Sequence, residues 1–401
     1  MILVGIDVAS EKHDVAIVTE RNLSKPLSYF TIPNREPGYK KLLGEIERAK
    51  KLFPDDKVRI GLESTGAYSV GLTEYLAKIY EDSVVLINPV LTSMFELSIH
   101  VHYAKTDKTD ALGICKFLAG NQDIRPYAVV SYHTRQLRSL SRERNKINKR
   151  INQDVNRLKG LLHIAFPEFL SKKHDTMGLF ELEFLKRYPT AESIKDMEPE
   201  DLRRSLKEVK YLRISLDKAS KLIESAKASV GSGCLGDGII IQTTAERIEL
   251  FHDQKKRIDK EIVKIMQEDC PYLLTIPGIG AVTLGTIVGE IGDVRNYHGS
   301  DSIVALAGLN PIVYQSGNYN AMHTRISKKG SSYLRNAIYM ATMTMFREKT
   351  EPIYSFVKKK RAEGKKKICS FDHGARKLVN ILFSMMKNKQ EFIGKTVSAN
   401  S

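Results

Sequence analysis

Four carboxylates stand at positions where a carboxylate is costly or paired. Asp7 interrupts the apolar run MILVGIDVAS, and Glu63 ends the apolar run VRIGLE. An acid in an apolar strand loses hydration, a cost that a cation or hydrogen-bond donors must offset. Asp107 and Asp110 lie three residues apart in AKTDKTDALGICKFLAG, a spacing that sets both on one face of a helix. Oxygen ligands of this kind suit a hard divalent ion, Mg²⁺ or alternatively Mn²⁺. Two such ions about 4 Å apart activate an attacking oxygen and stabilise a leaving oxygen at a phosphodiester. Taken singly, each acid has a plainer reading: a strand end, a turn cap, or a first-turn helix acid favoured by the helix dipole. Taken together in chain order, the four favour metal chemistry.

A second constellation lies far downstream. Ser316 precedes Gly317, and Arg325, Lys328, Lys329 and Arg335 follow within twenty residues. A serine hydroxyl is a weak nucleophile unless a base or a positive field activates it. Guanidinium and ammonium groups would neutralise charge on a pentacoordinate phosphorus transition state. By residue type alone, Ser316 is more simply a turn serine. Before it, LTIPGIGAV carries Gly278 and Gly280 in the pattern of a helix-hairpin-helix turn. Such a turn exposes backbone N–H groups to a phosphate, although a plain helix–helix turn looks the same in sequence.

The composition accommodates both constellations. A chain of 401 residues holds two or three domains, and 42% hydrophobic residues are enough to build cores. A net charge of +16 favours a polyanionic partner, nucleic acid or an anionic membrane surface, although a merely basic soluble protein would show the same composition. No apolar run approaches the roughly 18 residues of a spanning helix, and the N-terminus lacks a basic signal-peptide region. Cys115, Cys234, Cys270 and Cys369 form no CxxC pair, which argues against zinc ribbons and disulfides and suits the cytoplasm.

Three stretches must position these residues. Residues 1–130 read as α/β: a hairpin (MILVGIDVAS, then HDVAIVTE), a helix over 39–52, a strand at 58–62, a helix over 70–80 and a strand at 83–87. This alternation predicts a central sheet covered by helices. Residues 131–268 read as a helical coiled-coil region. Leu137, Leu140, Ile147, Ile151, Val155, Leu158 and Leu162 recur at near-heptad spacing. Arg138, Arg142, Lys146, Lys149 and Arg150 lie between them as candidate nucleic-acid contacts. A second amphipathic run, from Ile248 to Ile265, is expected to pair with the first, within one chain or between chains. An insertion at about 167–245, with the Gly-rich GSGCLGDG, reads as small, helical and flexibly looped. Residues 269–401 read as mainly α-helical with a basic tail, Lys358–Arg361 and Lys365–Lys367.

Here a family resemblance becomes specific. VGIDVASEKHDVAIV resembles the first hairpin of an RNase H-like, RuvC-type nuclease. Asp7, Glu63, Asp107 and Asp110 match the DEDD pattern of the IS-one-ten (IS110) transposases of bacterial insertion sequences, whose AKTDxxDA motif stands here at Ala104–Ala111. The run IPGIG, GDVRNYHGSDSIVALAGLNP, QSG and RISKKGSSYLR is similar to that family's C-terminal transposase domain. The likeness spans about residues 1–165 and 245–390. It departs in the unmatched middle and in Ser331-Ser332, where the family typically shows Asn.

The resemblance implies an RNA-guided DNA recombinase. Ser316 falls on the family's nucleophile, which forms a covalent phosphoserine link to DNA, with metal held by the four carboxylates. It implies target and donor DNA and an element-encoded structured noncoding RNA as partners. It also implies a homodimer that assembles to a tetramer on DNA, with a composite site. A rival reading is a RuvC-like endonuclease or junction resolvase that works by hydrolysis and leaves Ser316 dispensable. An actin-like ATPase shares this kind of sheet, but Asp7-Val8-Ala9-Ser10 lacks the glycine of its phosphate loop. A non-catalytic RNA-binding protein would explain the basic helix but not the four acids.

Overall fold

The computed structural model describes residues 1–64, 66, 68–99, 107–124, 126–127, 130–170, 177–207, 214–312, 315–316, 319–320 and 325–394. The chain forms two compact units, Met1–Val130 and Ser131–Ser401.

The first unit is built on a five-stranded sheet. Its strands are β1 (Ile2–Val8), β2 (Lys12–Thr19), β3 (Ser28–Pro33), β4 (Val58–Glu63) and β5 (Val84–Ile87), in the order β3-β2-β1-β4-β5. The first three pair antiparallel, whereas β4 lies parallel to β1 and β5 parallel to β4. Parallel neighbours need crossovers. Helix α1 (Glu36–Leu52) joins β3 to β4, and α2 (Tyr68–Ala77) joins β4 to β5. The expected hairpin, strands and first helix are present with shifted ends. Strand β3 and helix α3 (Pro89–Ile99), which follows β5, had no clear periodic signal.

Strand alternation sorts the core. Ile2, Val4, Ile6, Val15, Ile17, Ile60 and Leu62 face a layer containing Leu42, Ile46, Leu72 and Leu76 of α1 and α2. Leu3, Ala16, Val18, Val85 and Ile87 face Ala111, Ile114, Cys115 and Leu118 of α4 (Asp107–Gly120). Burial on both faces explains why β1 reads as a nearly continuous apolar run.

The second unit is helical. Helix α5 (Tyr132–Ala165) packs along α9 (Leu235–Asp269), as the paired heptad stripes predict. Between them lie α6 (Leu179–Arg187), α7 (Pro199–Lys207) and α8 (Leu216–Lys227). These share a core with both long helices around Phe166, Phe169 and Phe184. The GSG segment, expected from its composition to be a flexible loop, lies against the end of α5. A Cβ at Gly231 would lie 2.7 Å from the Ala165 carbonyl oxygen, and one at Gly233 would lie 2.6 Å from the Ala165 Cβ. The glycines there permit close packing against the end of α5.

A second core joins Leu137 of α5 and Ile262, Ile265 and Met266 of α9 to the C-terminal helices. Those are α10 (Ala281–Ile291), α11 (Ser300–Leu306), α12 (Ser332–Arg347), α13 (Ile353–Ala362) and α14 (Lys367–Asn388). Between α11 and α12 lies a short hairpin, β6 (Gln315–Ser316) and β7 (Tyr319–Asn320). No described helix is long and apolar enough to cross a membrane.

Candidate active site

The acids of the first unit are positioned by two glycines. Gly5 pairs with Gly61 across the parallel strands β1 and β4. A Cβ on Gly5 would lie 2.1 Å from the Ala111 carbonyl oxygen, and one on Gly61 would lie 2.9 Å from Ile114 Cγ2 and Leu118 Cδ1. Helix α4 therefore sits directly on both strands, at a distance only glycine allows. Side chains on a strand share a face every second residue. Asp7, two residues past Gly5, and Glu63, two past Gly61, therefore lie on the α4-covered face at the C-terminal ends of neighbouring parallel strands. Strand spacing puts their backbones about 5 Å apart.

Helix α4 supplies the other two positions. Ala111 and Cys115 contact β1 at Gly5, and the Cys115 thiol lies within 3.8 Å of the Leu3 carbonyl oxygen. The helix thus runs back along β1. Asp107 stands one turn, about 5.4 Å, before Ala111, at the level of Asp7. Asp110 stands one turn before Ile114, on the row that lies over β4, at the level of Glu63. By backbone position the four acids fall toward one end of one sheet–helix layer. Among the described residues no three His, Cys, Asp or Glu side chains converge as a metal site, and the Asp107 side chain lies outside that description. The donor set is all oxygen and suits Mg²⁺ or Mn²⁺ rather than a thiolate-seeking ion.

Sequence reasoning missed two residues here. Thr92 of α3, only 2% exposed, donates its hydroxyl to Glu63 Oε1 and lies 2.9 Å from the Pro89 carbonyl oxygen. It therefore fixes the Glu63 carboxylate from behind. Nothing in the run INPVLTS signals this role. Asp14 is the second. It is the register partner of Asp7 on β2 and shares the face of Ala16 and Val18. A signal for Asp14 existed, since an acid in the alternating run HDVAIV falls on a core-facing position.

In the second unit the cations divide into two groups. Arg138 donates through Nε to the Gly289 carbonyl oxygen at 2.7 Å, and Arg142 donates through Nε and Nη2 to Glu290 at 2.6 and 3.0 Å. Arg335 Nη1 donates to the Ala307 carbonyl oxygen at 2.9 Å. These three guanidinium groups, expected at nucleic acid, bind the protein itself. Arg150 lies over the Phe251 ring, and Lys146 pairs with Glu143 on the surface. Lys149, Arg325, Lys328 and Lys329 are exposed. Glu290 is 4% exposed. Burial alone would raise its pKa, but hydrogen bonds from Arg142 and Ser331 outweigh that and hold the carboxyl below its usual range.

Backbone hydrogen bonds join the segments on either side of the Ser316 hairpin. Ile312 N–H donates to the Arg325 carbonyl oxygen, Ser327 N–H to that of Asn310, and Lys328 N–H to that of Gly308. Gly308 takes φ +64°, and a Cβ there would lie 2.9 Å from the Lys328 carbonyl carbon. Ser316 ends β6 as the register partner of Tyr319, the first residue of β7. The Ser316 side chain lies outside the described residues. Gly278 takes φ +80° beside Glu348, and Gly280 caps the N-terminus of α10.

Comparison with known proteins adds identity at the domain level. A family model described as "Transposase", of the DEDD type of IS110 elements, matches residues 4–167. Another, described as "Transposase IS116/IS110/IS902 family", matches residues 270–358. The chain is 26% identical to a pilin gene-inverting protein of Moraxella bovis over 37% of this chain and 48% of that one. It is 32% identical to the transposase for insertion sequence element IS1111A of Coxiella burnetii over 25% of this chain and 27% of that one. It is 22% identical to an uncharacterized 43.6 kDa protein of insertion element IS110 from Streptomyces coelicolor over 39% of this chain and 38% of that one. The matched stretch spans about half the length of the first of these relatives and less of the others.

Proposed function

We propose that this chain, which carries both transposase domains of the IS110 family, recombines DNA by cutting and rejoining strands through Ser316. The observation that carries the reading is the placement of Asp7, Glu63, Asp107 and Asp110 at one end of the layer between α4 and the sheet. The strand order, with three antiparallel strands followed by two parallel ones, supports an RNase H-like architecture for that unit. Asp7, Glu63, Asp107 and Asp110 would hold a divalent ion, which when bound would supply charge neutralisation at the scissile phosphate.

The remaining steps belong to the chain's own groups. Ser316 Oγ attacks phosphorus, the P–O3′ bond breaks, and the departing 3′ oxygen takes up a proton. The product is a 5′-phosphoserine link and a free 3′-OH. Attack of a 3′-OH on that link reforms the phosphodiester and returns the hydroxyl to Ser316, so no water is consumed. Arg325, Lys328 and Lys329 flank the hairpin and neutralise the phosphate oxygens. Arg335 acts one step back, tying the two loops at the base of the stem. An RNA encoded beside the gene selects target and donor DNA by base pairing, while exposed lysines follow phosphates without reading sequence. Dimers pair into a tetramer, so that the acids of one copy meet Ser316 of another.

The test is direct. The full chain is incubated with DNA carrying its gene's own flanking sequence, RNA transcribed from that sequence, and Mg²⁺. Denaturing gels then report covalent protein–DNA species. The expected result is an adduct that is lost in Ser316→Ala and in Asp7→Asn. Strand cleavage without any adduct, unchanged in Ser316→Ala, would establish the hydrolytic nuclease instead.

A further inference from the structure

We infer that Asp14 is a positioning carboxylate for divalent-ion binding at Asp7, a role that rests on the metal reading above and extends it to a fifth acid. Asp14 is 6% exposed, as deeply placed as many core residues. Its Cα partner across the β1–β2 ladder is Asp7. Strand alternation puts both side chains on the face covered by α4, because Leu3 and Gly5 on β1 and Ala16 and Val18 on β2 contact that helix. Directly opposed residues have Cβ atoms about 5 Å apart, and like charges so placed repel.

Strand β3 holds Asp14 in place. The Tyr29 hydroxyl donates to Asp14 Oδ1 at 2.9 Å, and the Thr31 hydroxyl donates to the same oxygen at 2.6 Å. Thr31 is also the β3 register partner of Asp14. Both hydroxyls engage one oxygen, and among the described residues no donor to Oδ2 is found. Two neutral donors hold the carboxylate through that one oxygen and bring no positive charge of their own. A fold that only needed the two hydrogen bonds would be served by Asn, which keeps the acceptor oxygen and removes the repulsion with Asp7. The carboxylate thus adds negative charge beside Asp7 without spending a side chain of α4 or β4. A divalent ion at Asp7 relieves the repulsion, so Asp14 strengthens ion binding while destabilising the ion-free protein.

Isothermal titration of the full chain with Mn²⁺, combined with thermal unfolding in the presence of a chelator, tests this. Asp14→Asn is expected to weaken Mn²⁺ binding about tenfold or more, as outer ligands of metal sites do. The ion-free melting temperature is expected to hold or rise. A lower melting temperature with unchanged Mn²⁺ affinity would show Asp14 to be merely structural and would overturn the inference. Asp7→Asn is run in parallel. If it weakens Mn²⁺ binding and Asp14→Asn does not, the Asp14 role alone fails. If neither changes it, the metal reading fails with it. Should Asp14→Asn not fold, Tyr29→Phe and Thr31→Val, which release the carboxylate but keep its charge, are expected to weaken Mn²⁺ binding severalfold. Unchanged affinity in both would overturn the positioning role.

Discussion

Arg142 and Glu290 lie 148 residues apart in the chain and form a two-bond ion pair at 2.6 and 3.0 Å. The Ser331 hydroxyl donates to the same carboxylate at 2.7 Å while its oxygen caps the first turn of α12. One buried acid thereby ties the basic helix α5, the end of α10 and the start of α12 together. Glu290→Ala would leave a guanidinium without its partner, and we expect a loss of about 2 kcal/mol, measured as a lower urea midpoint. The sign with pH follows from the depressed carboxyl of Glu290. Its contribution is fully present above the usual carboxylate range and is lost as pH falls through the lower native value. Wild type should therefore lose more stability than Glu290→Ala on acidification.

Arg138 and Lys149 separate structural cations from those available to nucleic acid. Arg138 bonds the Gly289 and Glu290 carbonyl oxygens at 2.7 and 3.2 Å, while Lys149 is exposed. Lys149→Gln should lower the salt dependence of DNA binding by about one ion and leave stability unchanged. Arg138→Gln should do the reverse, lowering the urea midpoint at an unchanged salt slope. Equal salt slopes for Lys149→Gln and wild type would remove Lys149 from the interface.

Arg335 reaches the Ala307 carbonyl oxygen at 2.9 Å and that of Lys328 at 3.4 Å, bridging the loops on either side of the hairpin. A lysine has a single ammonium on a flexible stem and replaces this planar bridge poorly. Arg335→Lys should reduce covalent adduct about tenfold while costing less than about 1 kcal/mol of stability. An adduct yield equal to wild type would show that the brace does not control the hairpin.

Gly5 and Thr92 test the acid end of the first unit. Gly5→Ala drives a methyl into the Ala111 carbonyl, which a Cβ would approach to 2.1 Å. We expect a loss of about 3 kcal/mol as α4 is pushed from the sheet, together with weaker Mn²⁺ binding. Thr92→Val removes the donor to Glu63, whereas Thr92→Ser keeps it. Titration should show weaker Mn²⁺ binding for Val and recovery for Ser. Identical affinities for the two would assign Thr92 to packing alone.

Much of the candidate site was legible locally. Asp7 stood out because an acid in an apolar strand is costly within a few residues of sequence. Asp107 and Asp110 stood out because a three-residue interval repeats on a helix face. The paired stripes of α5 and α9 were legible for the same reason, since the period of the backbone determines which side chains share a face. What the chain alone decided was thus which residue types stand at which period.

The tertiary structure decided which charges face outward and which face each other. Arg138, Arg142 and Arg335 look like Lys149 in sequence, and only their partners more than 25 residues away tie them to the protein. Asp14 looks like a strand acid until the β1–β2 register sets it across from Asp7. Thr92 has no signal until α3 folds back on β4. The physical reason is that a charge or a hydroxyl acts on whatever lies within a few ångströms. Period along the chain specifies direction from the backbone, whereas proximity between distant segments is specified only when the cores have packed.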